Sequence, residues 1–180
     1  FLIDKNISKK ILSYTNIYNK IVLEIGPGYG FMTDNIIENQ PNKLLLIEKD
    51  NYLSNYLKKK YKEKTNVLSI EGDILKYNLK DYKNLIIISN LPYNVSSKII
   101  LYLFDFNENI SEMIFMIQKE VAEKFDYNLS KMNKYKFLTK LVSKYERCFD
   151  VSPMVFIPKP KVRSTVVKFQ FSKKKVDLEM

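Results

Sequence analysis

The chain has 180 residues, of which 46% are apolar, enough for one domain with a real core and too few for two of ordinary size. A lone cysteine, Cys148, and no histidine exclude an intrachain disulfide, a histidine general base and Ser-His or Cys-His nucleophiles, and argue against any metal site of the zinc type. The net charge of +10 suits a polyanionic partner such as nucleic acid, although an AT-rich coding sequence would also yield this wealth of Lys, Asn, Ile and Tyr.

Asp4 is placed to cap a first helix in which Ile7, Ile11 and Tyr14 share a face. Ile21–Ile25 is a β-branched run ending in a glycine cluster and reads as a buried strand. Phe31–Asn39 has helical spacing, Leu44–Ile47 is strand-sized, and Asn51–Lys60 reads as a charged outer helix. Strands follow at Asn66–Ile70, Leu85–Ser89 and Met113–Ile117, with a helix over Asn94–Phe106 between the last two. Glu120–Phe125 and Tyr135–Tyr145 read as helices, separated by a polar segment, Asn128–Lys134, expected to be a mobile loop. Ser164–Phe171 alternates as a late strand with one more polar face. Alternating apolar strands and helices imply an α/β fold with a mainly parallel sheet covered on both faces. The longest apolar runs are strand-sized, so no membrane span is expected.

Three strand ends carry chemistry in order. Glu24-Ile25-Gly26-Pro27-Gly28-Tyr29-Gly30 lies between a strand and a helix, where glycines let the backbone turn sharply and approach a ligand. Phe31 stands where the dinucleotide pattern G-x-G-x-x-G needs its third glycine, so the match is to E-x-G-x-G-x-G of S-adenosylmethionine enzymes. Glu48 lies 22 positions after Gly26, where a carboxylate accepts ribose hydroxyls. Asp73, after Gly72 at the third strand end, is placed to accept an adenine amine.

Asn90-Leu91-Pro92-Tyr93 closes the strand Leu85–Ser89. The tetrapeptide is a good turn sequence, and its place at a strand's carboxyl end gives it a second reading. An exocyclic amine on a purine is a poor nucleophile because its lone pair is delocalised into the ring. The Asn90 side-chain oxygen and a neighbouring carbonyl, accepting from that amine, would turn its lone pair toward a methyl donor. Pro92 removes a donor and stiffens the turn, and Tyr93 offers a stacking face. Orientation would carry the catalysis, and no base is needed beforehand.

With these segments in place the chain resembles the ribosomal RNA adenine N6,N6-dimethyltransferases, the KsgA type and the related Erm methylases. Gln118–Lys124 and Phe156-Ile157-Pro158-Lys159-Pro160-Lys161-Val162-Arg163-Ser164, matching F-x-P-x-P-x-V-x-S, extend the resemblance nearly end to end. The resemblance implies a Rossmann-like class I methyltransferase fold with a seven-stranded, mainly parallel sheet. It implies a catalytic domain over 1–172, with 173–180 a charged tail or the start of a helical C-terminal domain that is largely absent. Leu2, Glu24, Gly26, Gly28, Glu48, Asp73 and Asn90 would line the S-adenosylmethionine site. Asn90, Leu91, Pro92 and Tyr93 would form the catalytic turn, Tyr93 and Phe156 would stack the target adenine, and Lys159, Lys161 and Arg163 would hold RNA. The expected partner is ribosomal RNA in a small-subunit precursor, methylated by a monomer without metal. The compartment would be a bacterial cytoplasm or a eukaryotic organelle. Erm-like methylation of large-subunit RNA, and a non-enzymatic organellar transcription factor on the same fold, are the alternatives. DNA adenine and protein glutamine methyltransferases share a similar turn, but Leu91 and the Phe156–Ser164 segment argue against them.

Overall fold

The computed structural model describes residues 4–129, 131–156, 158 and 161–171. The elements run α1 (Lys5–Leu12), β1 (Ile21–Ile25), α2 (Phe31–Glu38), β2 (Lys43–Glu48), α3 (Asn51–Lys60), β3 (Val67–Glu71), β4 (Leu85–Asn90) and α4 (Ser96–Phe104). They continue with β5 (Ile110–Gln118), α5 (Lys119–Phe125), α6 (Lys134–Val142), β6 (Lys144–Val151) and β7 (Ser164–Gln170). Short 3₁₀ turns occupy Ile74–Lys76 and Pro153–Val155.

The seven strands form one sheet in the order β3-β2-β1-β4-β5-β7-β6. Strands β1 to β5 are mutually parallel, and β7 runs antiparallel between β5 and β6. The apolar runs are buried on both sides, and period-two alternation sorts their side chains into two cores. Leu23, Ile25, Leu45, Ile47, Leu85 and Ile87 face α4 and α5. Val22, Leu44, Leu46, Ile86, Ile88 and Val166 face α1, α2 and α3. On the first face Phe104, Phe125, Tyr145 and Phe169 meet edge to face, with Phe169 5.8 Å from Phe125 and 5.2 Å from Tyr145.

Asp4 caps α1 as expected, accepting from the backbone N–H of Asn6 at 2.7 Å and of Ile7 at 3.4 Å. The helix stops at Leu12, however, two residues before Tyr14, whose ring stacks on Phe149 instead. The helix expected over Tyr135–Tyr145 ends at Val142, and Lys144 opens the edge strand β6. Among the described residues no helix is long and apolar enough to cross a membrane.

Candidate active site

The carboxyl ends of β1 to β4 gather the glycine turn, Glu48, Asp73 and Asn90 along one rim of the sheet. Strands β1 and β4 are neighbours, yet the chain between them travels out to β3 and back, so a crevice opens where the connections diverge. Gly26, Gly28 and Gly30 adopt φ of 62°, 59° and 81°. A side chain in that region costs roughly 1–2 kcal/mol, which is why the turn is built from glycine. The Gly26 N–H donates to the Ile47 carbonyl at 2.9 Å and carries the β1–β2 ladder one step further.

Glu48 is buried at the end of β2. One of its oxygens accepts the Gly28 N–H at 3.1 Å and the other accepts the Asp50 N–H at 3.0 Å. A carboxylate offers about four lone-pair sites, so acceptor capacity remains for hydroxyl donors.

Gly26, Gly28, Glu48, Asn90, Tyr93 and Phe156 line one cavity of about 390 Å³. A smaller cavity of about 130 Å³ shares Gly26, Glu48 and Pro92 with it. Its walls are Ile25, Ile47, Ile74 and Ile99, with Asp73 beside them. That arrangement suits a heteroaromatic ring with one amine to satisfy, while the larger space suits the rest of a nucleoside cofactor and a second base. Asp73 accepts the Leu75 N–H at 3.0 Å and pairs with Lys49 at 3.1 Å. The backbone donor first, and the Lys49 ammonium second, hold its carboxyl below the usual range.

The tetrapeptide Asn90–Tyr93 is fixed at both ends. Leu91 is buried, and its N–H donates to the Met116 carbonyl at 3.1 Å. The Tyr93 hydroxyl lies 2.7 Å from the Ser164 hydroxyl, so its ring is tethered to the start of β7. The Asn90 amide lines the cavity and makes no hydrogen bond to any described residue. Its oxygen is therefore available to a ligand amine.

Phe156 has a double position. It packs with Val151 and Val166 in the core beneath α1 and α2, and it also walls the large cavity. Pro158, of the F-x-P-x-P segment, and Leu53 join that wall, though neither is among the site residues expected from the sequence. Lys161 and Arg163 are exposed on the approach to β7, where the Arg163 carbonyl accepts the Lys119 N–H at 3.0 Å. Leu2, Lys159 and the tail 173–180 lie outside the described residues.

Glu24 stands apart from both cavities. Its carboxyl lies buried under the first turn of α2, where the Thr33 hydroxyl donates to it at 2.6 Å. Burial pushes its pKa up to about 8, against the opposing effect of the Thr33 hydrogen bond. Beside it, the end of α3 grips the glycine turn. Lys60 donates to the Tyr29 carbonyl at 3.1 Å, and the Tyr61 hydroxyl lies 3.2 Å from the Gly30 carbonyl and 2.7 Å from Asp34. Nothing in the Lys58–Lys64 run marks Tyr61 as a buried post, because its neighbours are all solvent-facing charges.

The family model described as Ribosomal RNA adenine dimethylase matches residues 1–180. A ribosomal RNA small subunit methyltransferase A from Malacoplasma penetrans is 40% identical over 179 residues, covering 96% of this chain and 64% of the relative. Its counterpart from Pelagibacter ubique is 37% identical, covering 94% of this chain and 66% of the relative. The chain thus spans just under two thirds of the length of these relatives. Among solved structures, a dimethyladenosine transferase from Plasmodium falciparum superposes with a TM-score of 0.84 at 28% identity, covering 96% of this chain and 63% of that one. The 23S rRNA methyltransferase ErmE superposes with a TM-score of 0.88 at 22% identity, covering 97% and 70%. The seven-stranded sheet with its strand-end crevice is thereby a Rossmann-like methyltransferase fold. The sequence match along the whole chain, on this fold, makes it a member of the ribosomal RNA adenine dimethylase family.

Proposed function

We propose that the chain is the catalytic domain, over residues 1–172, of an S-adenosylmethionine-dependent adenine N6,N6-dimethyltransferase acting on small-subunit ribosomal RNA. One observation carries the reading: the unengaged Asn90 amide opens into the same cavity as Gly26, Gly28 and Glu48. A cofactor-sized space and an amine acceptor thus share one chamber. The names borne by the relatives in Malacoplasma and Pelagibacter favour the small subunit over the Erm-like alternative.

The residues present fit the cofactor. Glu48 would take the ribose hydroxyls on its remaining lone pairs, Asp73 the adenine amine, and the glycine turn would admit the methionine end without a Cβ in the way. Bound S-adenosylmethionine supplies an electrophilic methyl group carried on a sulfonium.

Asn90 then accepts a hydrogen bond from the target amine and turns its lone pair toward the methyl group. Tyr93, tethered by Ser164, and Phe156, wedged into the core, hold the base between them in a flipped-out position. Both rings are anchored before the base arrives, so little side-chain entropy is lost on binding. After transfer the nitrogen is acidic and sheds its proton to water. Lys161 and Arg163, exposed between Pro158 of the cavity wall and β7, contact the RNA backbone together with Lys159, and Leu2 belongs with the cofactor-binding residues. The enzyme works as a monomer wherever small ribosomal subunits are assembled, in a bacterial cytoplasm or an organelle.

The test is to supply tritiated cofactor with separated small and large ribosomal subunits. Label on a small-subunit adenine supports the proposal, and label on the large subunit alone, or on neither, refutes it.

A further inference from the structure

The outer face of α3 is an odd surface for a helix that only covers a sheet. Tyr52 is 70% exposed, Tyr56 38%, and Tyr29 and Phe31 are exposed on the glycine turn and the start of α2. Tyr52 and Tyr56 are four residues apart and share a stripe with Lys59, at the spacing that aligns side chains on one helical face. The Tyr29 and Tyr56 rings meet edge to face at 5.6 Å, which holds Tyr56 in place and leaves the patch partly ordered. Core packing explains none of these rings, since Ser54 and Leu57 are the buried positions of α3.

The cations around the patch sort into two kinds. Lys60 is consumed by Asp34 at 2.9 Å and Lys49 by Asp73 at 3.1 Å, so neither carboxylate presents uncompensated charge there. Lys58 and Lys59 are exposed and make no ion pair among the described residues. Asp50 spends its carboxylate on the Leu53 N–H as the cap of α3. Exposed rings interleaved with free ammonium groups are the chemistry of a single-stranded nucleic acid platform, in which bases stack and phosphates pair. The patch is continuous with the chamber, because Leu53 of α3 and Gly28 of the glycine turn both line it.

We infer that Tyr52, Tyr56 and Lys59 on α3 form a stacking platform for the single-stranded RNA flanking the target adenine. The inference rests on the RNA-methylating reading above. It adds a contact surface on α3, whose Leu53 lines the chamber, separate in the chain from the exposed Lys161 and Arg163.

The test compares the wild type, a Tyr52→Ala/Tyr56→Ala pair and a Tyr52→Phe/Tyr56→Phe pair in binding a labelled single-stranded RNA of about twelve nucleotides with one central adenine. Calorimetric affinity for S-adenosylmethionine is measured alongside, to show that the fold and chamber are intact. The platform predicts that the alanine pair binds RNA about tenfold or more weakly with cofactor affinity unchanged, and that the phenylalanine pair stays within about twofold. Lys59→Ala should flatten the dependence of log affinity on log salt by roughly 0.7. If the wild type binds and methylates RNA but the alanine pair is indistinguishable from it, the platform is overturned and the reading of the site stands. If the alanine pair binds the oligonucleotide normally and only loses activity on assembled subunits, the face contacts protein, and the platform is again overturned. If the wild type binds cofactor and labels small subunits but does not bind the oligonucleotide, the platform is overturned and the reading of the site stands. If it labels neither subunit, that reading falls.

Discussion

The Gly28 backbone N–H donates to the Glu48 carboxylate at 3.1 Å, which ties the turn after β1 to the end of β2 across the mouth of the chamber. Beyond the ribose contact proposed for it, Glu48 has a structural role in the chain itself. It fixes the position of the glycine turn before any ligand arrives, and its other oxygen fixes the entry to α3 through Asp50. Replacing it with Gln would set an amide donor against one of two backbone donors, at a cost of about 1–3 kcal/mol for a buried group left unpaired. Glu48→Gln is expected to weaken S-adenosylmethionine about tenfold or more and to lower the melting temperature by a few degrees. Calorimetry and a thermal melt check the two effects separately.

Gly30 permits the contact between α2 and α3. Its φ is +81°, and a Cβ placed there would run into the Tyr61 hydroxyl. Gly30→Ala should therefore cost more than the roughly 1–2 kcal/mol of the backbone conformation alone. Adding Tyr61→Phe should recover part of that loss by removing the clashing oxygen, although the phenol's hydrogen bond to Asp34 goes with it. Denaturant unfolding of the two variants measures both changes. Equal stability of Gly30→Ala and wild type would show that the turn is not constrained as described.

Glu24 gives the fold a pH dependence. Its pKa rises from an ordinary 4.5 to about 8 in the folded chain, because burial disfavours the charge. The folded state thus holds a proton that the unfolded state releases, so this contribution is complete below about pH 4.5 and declines until about pH 8. Glu24→Gln keeps a neutral, hydrogen-bonding side chain and should remove that slope. A melting-temperature profile across this range checks it: the wild type should fall relative to the variant toward alkaline pH. Parallel profiles would mean that Glu24 is already ionised when buried.

Phe156 must be tested without opening the core it belongs to. Truncation to Ala would cost about 3–5 kcal/mol as a cavity mutation and confound any reading of activity. Phe156→Leu keeps most of the volume, for which about 1.5 kcal/mol or less is expected. It should lower RNA methylation about tenfold while leaving cofactor affinity within about twofold, because a leucine offers no face to a stacked base. Steady-state kinetics on RNA and calorimetry with cofactor separate the two roles.

Much of this site was readable before the structure, for a physical reason. In a parallel α/β sheet the chemistry sits at consecutive strand ends, so Gly26, Glu48, Asp73 and Asn90 announce themselves by order and by the apolar runs before them. The edge strand β6 was hidden. Its register shifts between Arg147 and Phe149, which breaks the period-two alternation, and its outer side is polar. Glu24 looked like a cofactor ligand because it opens the glycine motif, but a strand residue's facing depends on pleat parity, and here it points under α2 to Thr33. The grip of Lys60 and Tyr61 on the glycine turn joins residues 31 positions apart, and no local pattern encodes it.

In the proposed mechanism Asn90 orients the target amine in the chamber that the glycine turn and Glu48 share. Single-turnover methyl transfer to small-subunit RNA by Asn90→Ala, at saturating S-adenosylmethionine, tests that most directly. The expected result is a transfer rate lower by about a hundredfold or more, with cofactor affinity changed less than tenfold and the melting temperature held, as for a geometry-dependent step. Wild-type transfer by that variant would contradict the account.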